Sequence, residues 1–554
     1  MQRVLQYIVI GALLGFCASS CHFLDEQILD SSTRDTYYKN AVQIESGLNG
    51  CYLPLRDIFK EYKYFYITEA QTDLMQMGSN GQYEAYCQYS TMNPQFCANL
   101  WTSLYRGVSR CNTMLNAIEK ASIDENEKAP LRGEAVVLRA MFYYLLTCNF
   151  GDVPFYEEEV TDENNDRIAR LPRMSASATR RALIEELRKQ ILEDKALPMY
   201  PTYSQTNPRQ YRAGAAVGCM IGGKMCLWEG LWSEALDFFG ALEEMYGPLS
   251  QYRLSDVAFR NRYTGESILE MGQTSTDYGY NVYGELACRC TPMRGSFDPD
   301  LDDEGDDTSD ITEFDTSSDY YAEVGIPELG STSRTNSPLR PTNHMYKDLM
   351  PYDSGDKRRH SCTAAGPVED GGGWMQCGWF GYSQTDDRSV VKPHWLYFDG
   401  MAATSRPYLG DKFWCFGMQY KQDSNNFKIY RYAGAVLNMA EAHLMRGDED
   451  QACAYLNQVR RRAGLPDVKP ADFADADAFL AAIQDECARE LFGEFNRKHD
   501  LVRWGIWWET IQKYGGSTLI KYARPCHRYC PIPQVQVTYS GGALDNDEYN
   551  QYGL

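Results

Sequence analysis

The sequence predicts a mainly α-helical protein, built from tetratricopeptide-like helical hairpins and interrupted by one long, irregular, loop-rich insertion. Three observations support this prediction. Apolar residues recur at helical spacing on both sides of the insertion, the same hairpin pattern returns elsewhere in the chain, and helical periodicity is lost across residues 266–428. The chain therefore divides into residues 1–20, a helical part 21–265, the insertion 266–428 and a second helical part 429–554.

The clearest hairpin lies between residues 430 and 464. Apolar residues line one face of each of its two predicted helices: Val436, Leu437, Ala440 and Leu444 in the first, and Ala452, Leu456 and Val459 in the second. Gly447 and Gly464 are expected to end the two helices, because glycine readily adopts the left-handed conformation that follows a helix.

The hairpin pattern also occurs earlier in the chain. A shift of 217 residues places Leu227, Gly230, Ala235, Phe239 and Leu242 on Leu444, Gly447, Ala452, Leu456 and Val459. Gly223 with Ala235, like Ala440 with Ala452, supplies the small residues that let two helices pack closely. A third hairpin is predicted over residues 99–119 and 129–149, and further helices are expected over 41–59 and 178–192.

A long helix is predicted from Phe479 to Trp504. Apolar residues recur along one face, while Glu486, Glu490 and Glu494 follow one another at four-residue spacing on another. A regular ladder of charges on a helix ordinarily forms ion pairs, so we interpret these carboxylates as structural. A pair of glycosidase carboxylates is the alternative, since such pairs are assembled in space rather than in sequence.

The chain begins with a segment typical of an export signal. Arg3 precedes an apolar run over residues 4–16, and three small residues lead directly to Cys21. This ending resembles a bacterial lipobox, in which the cysteine is acylated and becomes the mature N-terminus. We therefore predict a lipoprotein signal peptide over residues 1–20 and lipidation of Cys21, with a plain cleaved signal as the alternative.

Charge and motif content exclude several classes of protein. The formal net charge of −22 at pH 7 makes nucleic acid an unfavourable partner. The eighteen cysteines include no CxxC pair, so neither a zinc ribbon nor a thioredoxin-type site is indicated. The chain also lacks HExxH, GxSxG and phosphate-loop motifs. We therefore predict no catalytic residues, no metal and no cofactor.

Aromatic residues on glycine-rich loops are the candidates for ligand binding. Flat rings suit the apolar faces of sugars, whose hydroxyl groups then bind neighbouring polar side chains. The predicted ligand-binding residues come from an early loop and from the insertion: Tyr83, Tyr86, Tyr89, Trp374, Trp379 and Tyr382. The alternative is that these rings pack in the core, which is the usual place for an aromatic side chain.

Several segments, taken together, resemble the SusD/RagB family. They are Cys21-His22-Phe23-Leu24-Asp25, Leu138-Arg139-Ala140 through Gly151-Asp152-Val153-Pro154, Ala440-Glu441-Ala442 with Asn457-Gln458-Val459-Arg460, Glu490 to Gly505, and Pro531-Ile532-Pro533-Gln534. They follow the family's order along essentially the whole chain. The tail departs from the pattern, because Asn550-Gln551-Tyr552-Gly553 stands where the family often has Gln-Asn-Pro-Gly-Tyr.

The resemblance implies a lipid-anchored protein at the cell surface, in the outer membrane. It implies that the protein captures oligosaccharides or polysaccharides and delivers them to a SusC-like TonB-dependent porin, without being an enzyme. A glycoside hydrolase, a binder of peptides rather than glycans, and a purely structural scaffold are the alternatives.

Overall fold

The computed structural model describes most of the helical parts and portions of the insertion. The described residues are 37–59, 62–77, 81–273, 286–290, 313–314, 339–352, 354–363, 366–376, 378–384, 390–397, 408–415 and 423–554. Only the backbone is described for some of them, including residues 81–83, 378–384 and 390–397. The predicted signal peptide and Cys21 lie outside this part of the chain.

The N-terminal part consists of helices joined mostly by short turns. They are α1 Ala41–Phe59, α2 Tyr62–Thr68, α3 Gly81–Cys87, α4 Phe96–Lys120, α5 Glu125–Phe150, α6 Asn165–Ala169, α7 Ala176–Leu187 with a π-helical continuation Arg188–Glu193, α8 Ala215–Trp228 and α9 Trp232–Tyr246. Polar caps fix several starts. The side chain of Asp124, for example, accepts a hydrogen bond from the Asn126 N–H at the start of α5. The pairs α4–α5 and α8–α9 are two of the predicted hairpins.

Small residues bring the paired helices into close contact, as the repeat predicted. A Cβ atom added to Gly223 of α8 would overlap the ring of Phe239 in α9, and one added to Gly107 of α4 would overlap Phe142 in α5. Ala235 has no exposed surface. The side chains therefore interlock across these two hairpins, as close helix packing requires.

Short strands occur in the early segment, in the insertion and at its two ends, and they pair with one another. The strands are β1 Met75–Met77, β2 Ser267–Met271, β3 Glu313–Phe314, β4 Leu339–Pro341, β5 Cys362–Thr363, β6 Gly366–Pro367, β7 Met375–Gln376, β8 Gly378–Gln384, β9 Val390–Tyr397, β10 Tyr408–Leu409 and β11 Phe427–Arg431, and one short helix is α10 Leu286–Cys290. The described pairs are β1–β4, β10–β7, β11–β2 and β5–β6, together with a sheet in the order β3–β9–β8.

Two of these pairings connect the insertion to the helical frame. Strands β2 and β11 run antiparallel, with Met271 opposite Phe427 and Ser267 opposite Arg431, so the insertion leaves and re-enters the frame at one place. Strand β1 of the early segment pairs with β4 of the insertion, Met75 lying opposite Pro341. The two stretches from which ligand-binding rings were predicted are therefore in contact through their backbones. The early stretch also contains β1 and α3, where the sequence predicted only a loop.

The C-terminal part returns to helices. They are α11 Tyr432–Met445, α12 Glu449–Arg462, α13 Ala476–Glu490, α14 Arg497–Arg503, α15 Trp507–Tyr514, α16 Ser517–Tyr522, α17 Gln534–Tyr539 and α18 Asp547–Asn550. Helices α11 and α12 form the clearest predicted hairpin, with Gly447 in the left-handed conformation between them at φ 80°. Within the described residues, none of the helices has the length and hydropathy needed to cross a bilayer.

The single helix predicted from Phe479 to Trp504 is wrong. Helix α13 ends at Glu490 and α14 begins at Arg497. Gly493 and Phe495 in the intervening turn have φ values of 76° and 63°, a left-handed conformation that a right-handed helix cannot contain. The turn places the ring of Phe495 edge-on against Phe59, with the ring centroids 5.3 Å apart. Packing of this ring in the core therefore breaks the helical pattern.

Candidate functional site

The insertion is held on the frame by three carboxylates that lie inside the protein. Glu486 and Glu490 of α13 have no exposed surface, and Glu494 in the following turn is 1% exposed. We call these three residues the carboxylate cluster. Their cationic partners come from the insertion, from β11 and from α12: Arg358 and Lys412, Arg431, and Arg460 and Arg462.

Glu490 lies at the centre of this network. One of its oxygens, Oε1, accepts hydrogen bonds from Nη2 of Arg431 at 3.1 Å and from Nη2 of Arg462 at 2.6 Å. The other, Oε2, accepts from Nη1 of Arg358 at 3.1 Å. One carboxylate thus joins β11, α12 and the insertion. The predicted ladder of carboxylates is structural in this geometry, with partners that come mainly from other segments.

The network also fixes the protonation of its carboxylates. Burial alone would raise the pKa of Glu490, but the surrounding arginines outweigh burial and lower its pKa to about 2. The pKa of Glu486 is also lowered to about 2, by Arg358 and Arg489 against the effect of burial. Both groups are ionised at neutral pH, so neither can donate a proton as a general acid.

The carboxylate cluster and its cationic partners form a buried ionic base under the insertion, and Trp374 packs inside it and does not face a ligand. Its side chain has no exposed surface. The Nζ atom of Lys412 lies 3.9 Å from the centroid of the Trp374 ring, and the indole N–H donates to the backbone carbonyl of Arg489 at 2.7 Å. Lys412 in turn donates to Glu494 Oε1 at 2.7 Å. The structure therefore assigns Trp374 to the core, because its ring covers a buried cation.

Tyr86 and Tyr89 are also core residues. Tyr86 is 4% exposed and packs edge-on against Tyr66, while Tyr89 has no exposed surface. The Tyr89 hydroxyl donates to the backbone carbonyl of His527 at 3.1 Å and accepts from Lys498 Nζ at 3.3 Å. These two rings close the space between the early segment and the C-terminal part, so they offer no surface to a ligand.

The other three predicted rings are described only by their backbones. Tyr83 lies in α3, and Trp379 and Tyr382 lie in β8, opposite Leu396 and Pro393 of β9. Their side chains lie outside the described part of the structure, so their role in binding remains a prediction.

An open cleft of about 710 Å³ lies where the insertion meets the ends of α9 and α12. It is lined by Glu243, Gly247, Pro248, Ser250, Tyr252, Arg253, Asp370, Gln458, Arg461 and Arg462. The carboxylate of Asp370 accepts hydrogen bonds from the backbone N–H groups of Leu254 and Ser255 at 3.0 and 2.9 Å, which fixes a turn of the insertion against the frame. One ring among charged and amide groups suits a ligand that is rich in hydroxyl groups.

Sequence reasoning did not find this cleft. Its residues come from three separated segments, and single polar residues in irregular turns carry no periodic signal. In the described part of the chain, no group of three His, Cys, Asp or Glu side chains could hold a metal ion. The cysteines described there are free thiols, nearly all of them buried.

The fold and this arrangement define a class of protein: a scaffold of helical hairpins that holds a loop-built insertion on a buried ionic base, beside an open polar cleft. Residues 416–550 match the SusD family, and residues 22–212 match the family described as "Starch-binding associating with outer membrane", so the two matches together cover more than half of the chain. The chain therefore belongs to the SusD/RagB family.

Individual relatives cover nearly the whole chain at low identity. The chain is 22% identical to SusD-like protein P25 of Formosa agariphila, over 99% of each chain. Among solved structures it is similar to a SusD homologue from Bacteroides thetaiotaomicron, with a TM-score of 0.68, 19% identity, and coverage of 92% of this chain and 97% of that chain. It is also similar to surface glycan-binding protein A from the same organism in complex with laminarihexaose, with a TM-score of 0.64, 18% identity, and coverage of 91% and 98%. These structural similarities show a shared fold.

Proposed function

We propose that this protein is a lipid-anchored receptor of the outer-membrane surface that binds oligosaccharides and passes them to a SusC-like TonB-dependent transporter. The observation that carries the proposal is the match of residues 22–212 to a family described by starch binding and outer-membrane association. A structural neighbour that covers nearly the whole fold was solved with laminarihexaose. The open polar cleft and the loop-built insertion give this chain the surface that such binding requires.

The ligand is held by loops rather than by the hairpins. The buried ionic base anchors the insertion at Arg358 and Lys412, so its loops are presented from a rigid support. We propose Tyr83, Trp379 and Tyr382 as ring contacts to the ligand, because flat rings stack on the apolar faces of sugars.

The experiment is to incubate the purified mature chain with laminarihexaose and with a panel of other oligosaccharides, then to measure both retention and products. Retention without products supports a binding protein. Release of shorter sugars would identify a glycoside hydrolase instead. Retention of peptides in place of glycans, or retention of neither, would reject the proposal. Co-purification of a TonB-dependent porin with the tagged chain tests the delivery step separately.

Two tryptophans five positions apart provide a matched pair of variants. Trp379→Ala should weaken glycan retention and leave the unfolding midpoint unchanged, because it removes a ring proposed to contact the ligand. Trp374→Ala should lower the unfolding free energy by about 3–5 kcal/mol, as expected for truncation of a buried tryptophan. Normal binding by a folded Trp379→Ala variant would place the ligand elsewhere.

A further inference from the structure

Three tyrosine rings contact one another beside the point where the insertion leaves the frame. Tyr203, Tyr211 and Tyr263 have ring centroids 5.0–5.7 Å apart in all three pairs. Tyr203 is 8% exposed, whereas 53% of Tyr211 is exposed. The cluster therefore has a buried base and one open ring.

The backbone holds two of these rings in an unusual conformation. Tyr211 has a φ of 68° and Tyr263 a φ of 53°, in the left-handed region that residues with a side chain rarely adopt. The backbone N–H of Tyr263 donates to Glu270 Oε2 at 2.7 Å, and the N–H of Glu270 donates to the Tyr203 hydroxyl at 2.6 Å. Strand β2 thus fixes the cluster at a strained geometry, and such strain is concentrated at functional sites.

The backbone of Gln273, a buried residue, lies next to the cluster. Gln273 is 4% exposed, and among the described residues neither its Oε1 nor its Nε2 atom has a hydrogen-bond partner. The preceding residue, Gly272, lies against the Tyr263 hydroxyl, where a Cβ atom would overlap it. Arg262 donates to the backbone carbonyl of Gln273, which holds this residue beside the tyrosines. Buried amides are normally hydrogen-bonded, so this one has donor and acceptor capacity left for a ligand.

The charged groups beside the cluster are already paired. Lys428 donates to Glu270 Oε1 at 2.7 Å, and Asn426 donates to Glu270 Oε2 at 2.8 Å. Arg262 donates to the backbone carbonyl of Ser424 as well as to that of Gln273. What is left for a ligand is an open aromatic face and an uncharged amide. This combination suits a neutral sugar ring, whose C–H face stacks on an aromatic ring and whose hydroxyl groups both donate and accept.

We propose that Tyr211, Tyr263 and Gln273 form a subsite for one neutral pyranose unit of the glycan, stacked on the Tyr211 ring with its hydroxyl groups bound by the Gln273 amide. This inference rests on the proposed function, and it places a sugar contact at the start of the insertion, between Gln273 and two tyrosines of the N-terminal part. The subsite lies where the two ends of the insertion meet, so a chain bound along the insertion can extend onto it.

The test uses the whole mature chain, laminarihexaose and other neutral hexasaccharides, with affinity measured by calorimetry. Tyr211→Ala should weaken binding of the glycan that the wild type retains by about tenfold or more, since a few ring anchors usually dominate an interface. The matched control is Tyr200→Ala. Tyr200 lies in the same connection and is 41% exposed, and the three-ring cluster does not include it, so its removal should change affinity less than about twofold.

A second variant separates binding from folding. Gln273→Leu removes an amide that has no partner, so the unfolding midpoint should stay the same or rise while glycan affinity falls. A purely structural glutamine would lose stability instead. If the wild type binds glycan and both Tyr211→Ala and Gln273→Leu bind it normally, the subsite is refuted and the proposed function stands. If the wild type retains no glycan, both the subsite and the proposed function are refuted. A sugar bound over Tyr211 in a crystal of the complex would confirm the assignment directly.

Discussion

Replacing Glu490 with glutamine should destabilise the whole protein. The amide keeps the shape of the side chain but removes the negative charge that Arg358, Arg431 and Arg462 share. The side chains of Glu490, Arg358 and Arg431 have no exposed surface, and that of Arg462 is 4% exposed, so water cannot replace the missing charge. Glu494 cannot replace it either, because it already accepts from Arg431 and Lys412.

Two arguments give the magnitude. Removing one partner of a buried ion pair costs about 3–5 kcal/mol, since the other charge is left unpaired in the interior. The pKa of Glu490 falls from its ordinary value of 4.5 to about 2 on folding. At about 1.4 kcal/mol per pKa unit, that shift corresponds to roughly 3–4 kcal/mol. We therefore expect Glu490→Gln to lower the unfolding free energy by about 3–5 kcal/mol.

Urea-induced unfolding at pH 7, followed by circular dichroism, measures this change. The control is Glu125→Gln, because Glu125 pairs with Arg132 at 2.8 Å but its side chain is 67% exposed, and surface pairs contribute little. The pH dependence is a second measurement. A pKa that is lowered by folding stabilises the protein above about pH 4.5, and this stabilisation is lost as the pH falls towards 2. Glu490→Gln should therefore lose less stability than the wild type as the pH falls from 4.5 to 2.

Unfolding of Glu490→Gln at the same urea concentration as Glu125→Gln and the wild type would contradict this expectation. So would full wild-type acid sensitivity in Glu490→Gln. Either result would mean that the arginines are stabilised without the central carboxylate.

Four further predictions follow from the packing, a buried lysine and the N-terminus. Gly223→Ala should cost about 1–3 kcal/mol because its Cβ overlaps a ring of α9, whereas Gly240→Ala, with nothing within 4 Å, should stabilise its helix by about 0.5–1 kcal/mol. Ala452→Phe should cost about 1–3 kcal/mol or more by overpacking a fully buried position. Burial lowers the pKa of Lys498 to about 8 from 10.5, so the wild type should gain stability as the pH rises from 8 to 10.5, whereas Lys498→Met should not. The unfolding free energy of the variant minus that of the wild type should therefore fall over this range. Cys21→Ala should release the protein from the membrane fraction, because acylation with more than one chain gives stable anchoring.

Each of these predictions has an outcome that counts against it. Equal stability of Gly223→Ala and Gly240→Ala would mean that α8 and α9 do not interlock. An unchanged melting temperature for Ala452→Phe would mean that Ala452 does not face its partner helix, so the register predicted for the repeat is wrong. If the difference in unfolding free energy between Lys498→Met and the wild type stays constant from pH 8 to 10.5, the lysine does not titrate in that range. A Cys21→Ala protein that still sediments with outer membrane, in cells without the partner porin, would argue against lipidation.

The helical hairpins were predictable because their signals are local. Apolar residues three or four positions apart, and the glycines that end each helix, lie within one segment and determine its structure there. The ionic base was not predictable in the same way. Arg358 and Glu490 are separated by 132 residues, and nothing in the spacing of either segment shows that they meet.

The aromatic residues show a different limit. Trp374 follows three glycines, a pattern that suggested an exposed loop. In the structure these glycines allow a tight, buried turn: Gly373 has a φ of 71°, and a Cβ atom there would overlap Asp411. Tyr211 shows the reverse, since its left-handed backbone is one that sequence rules assign to glycine. Glycine and tyrosine therefore do not by themselves distinguish a binding loop from a packed turn.

The way in which the insertion joins the frame has a consequence for how such proteins diversify. The insertion begins and ends at one antiparallel ladder, and Arg358 and Lys412 anchor it from within. Loops between these anchors can be exchanged between relatives as a cassette, and the recombinant should fold if both cations and the carboxylate cluster are inherited together. A crossover that separates the cations from their carboxylates should yield a chain that does not accumulate. Specificity can therefore change by recombination in steps much larger than a point substitution, while the buried charges must be inherited as a unit.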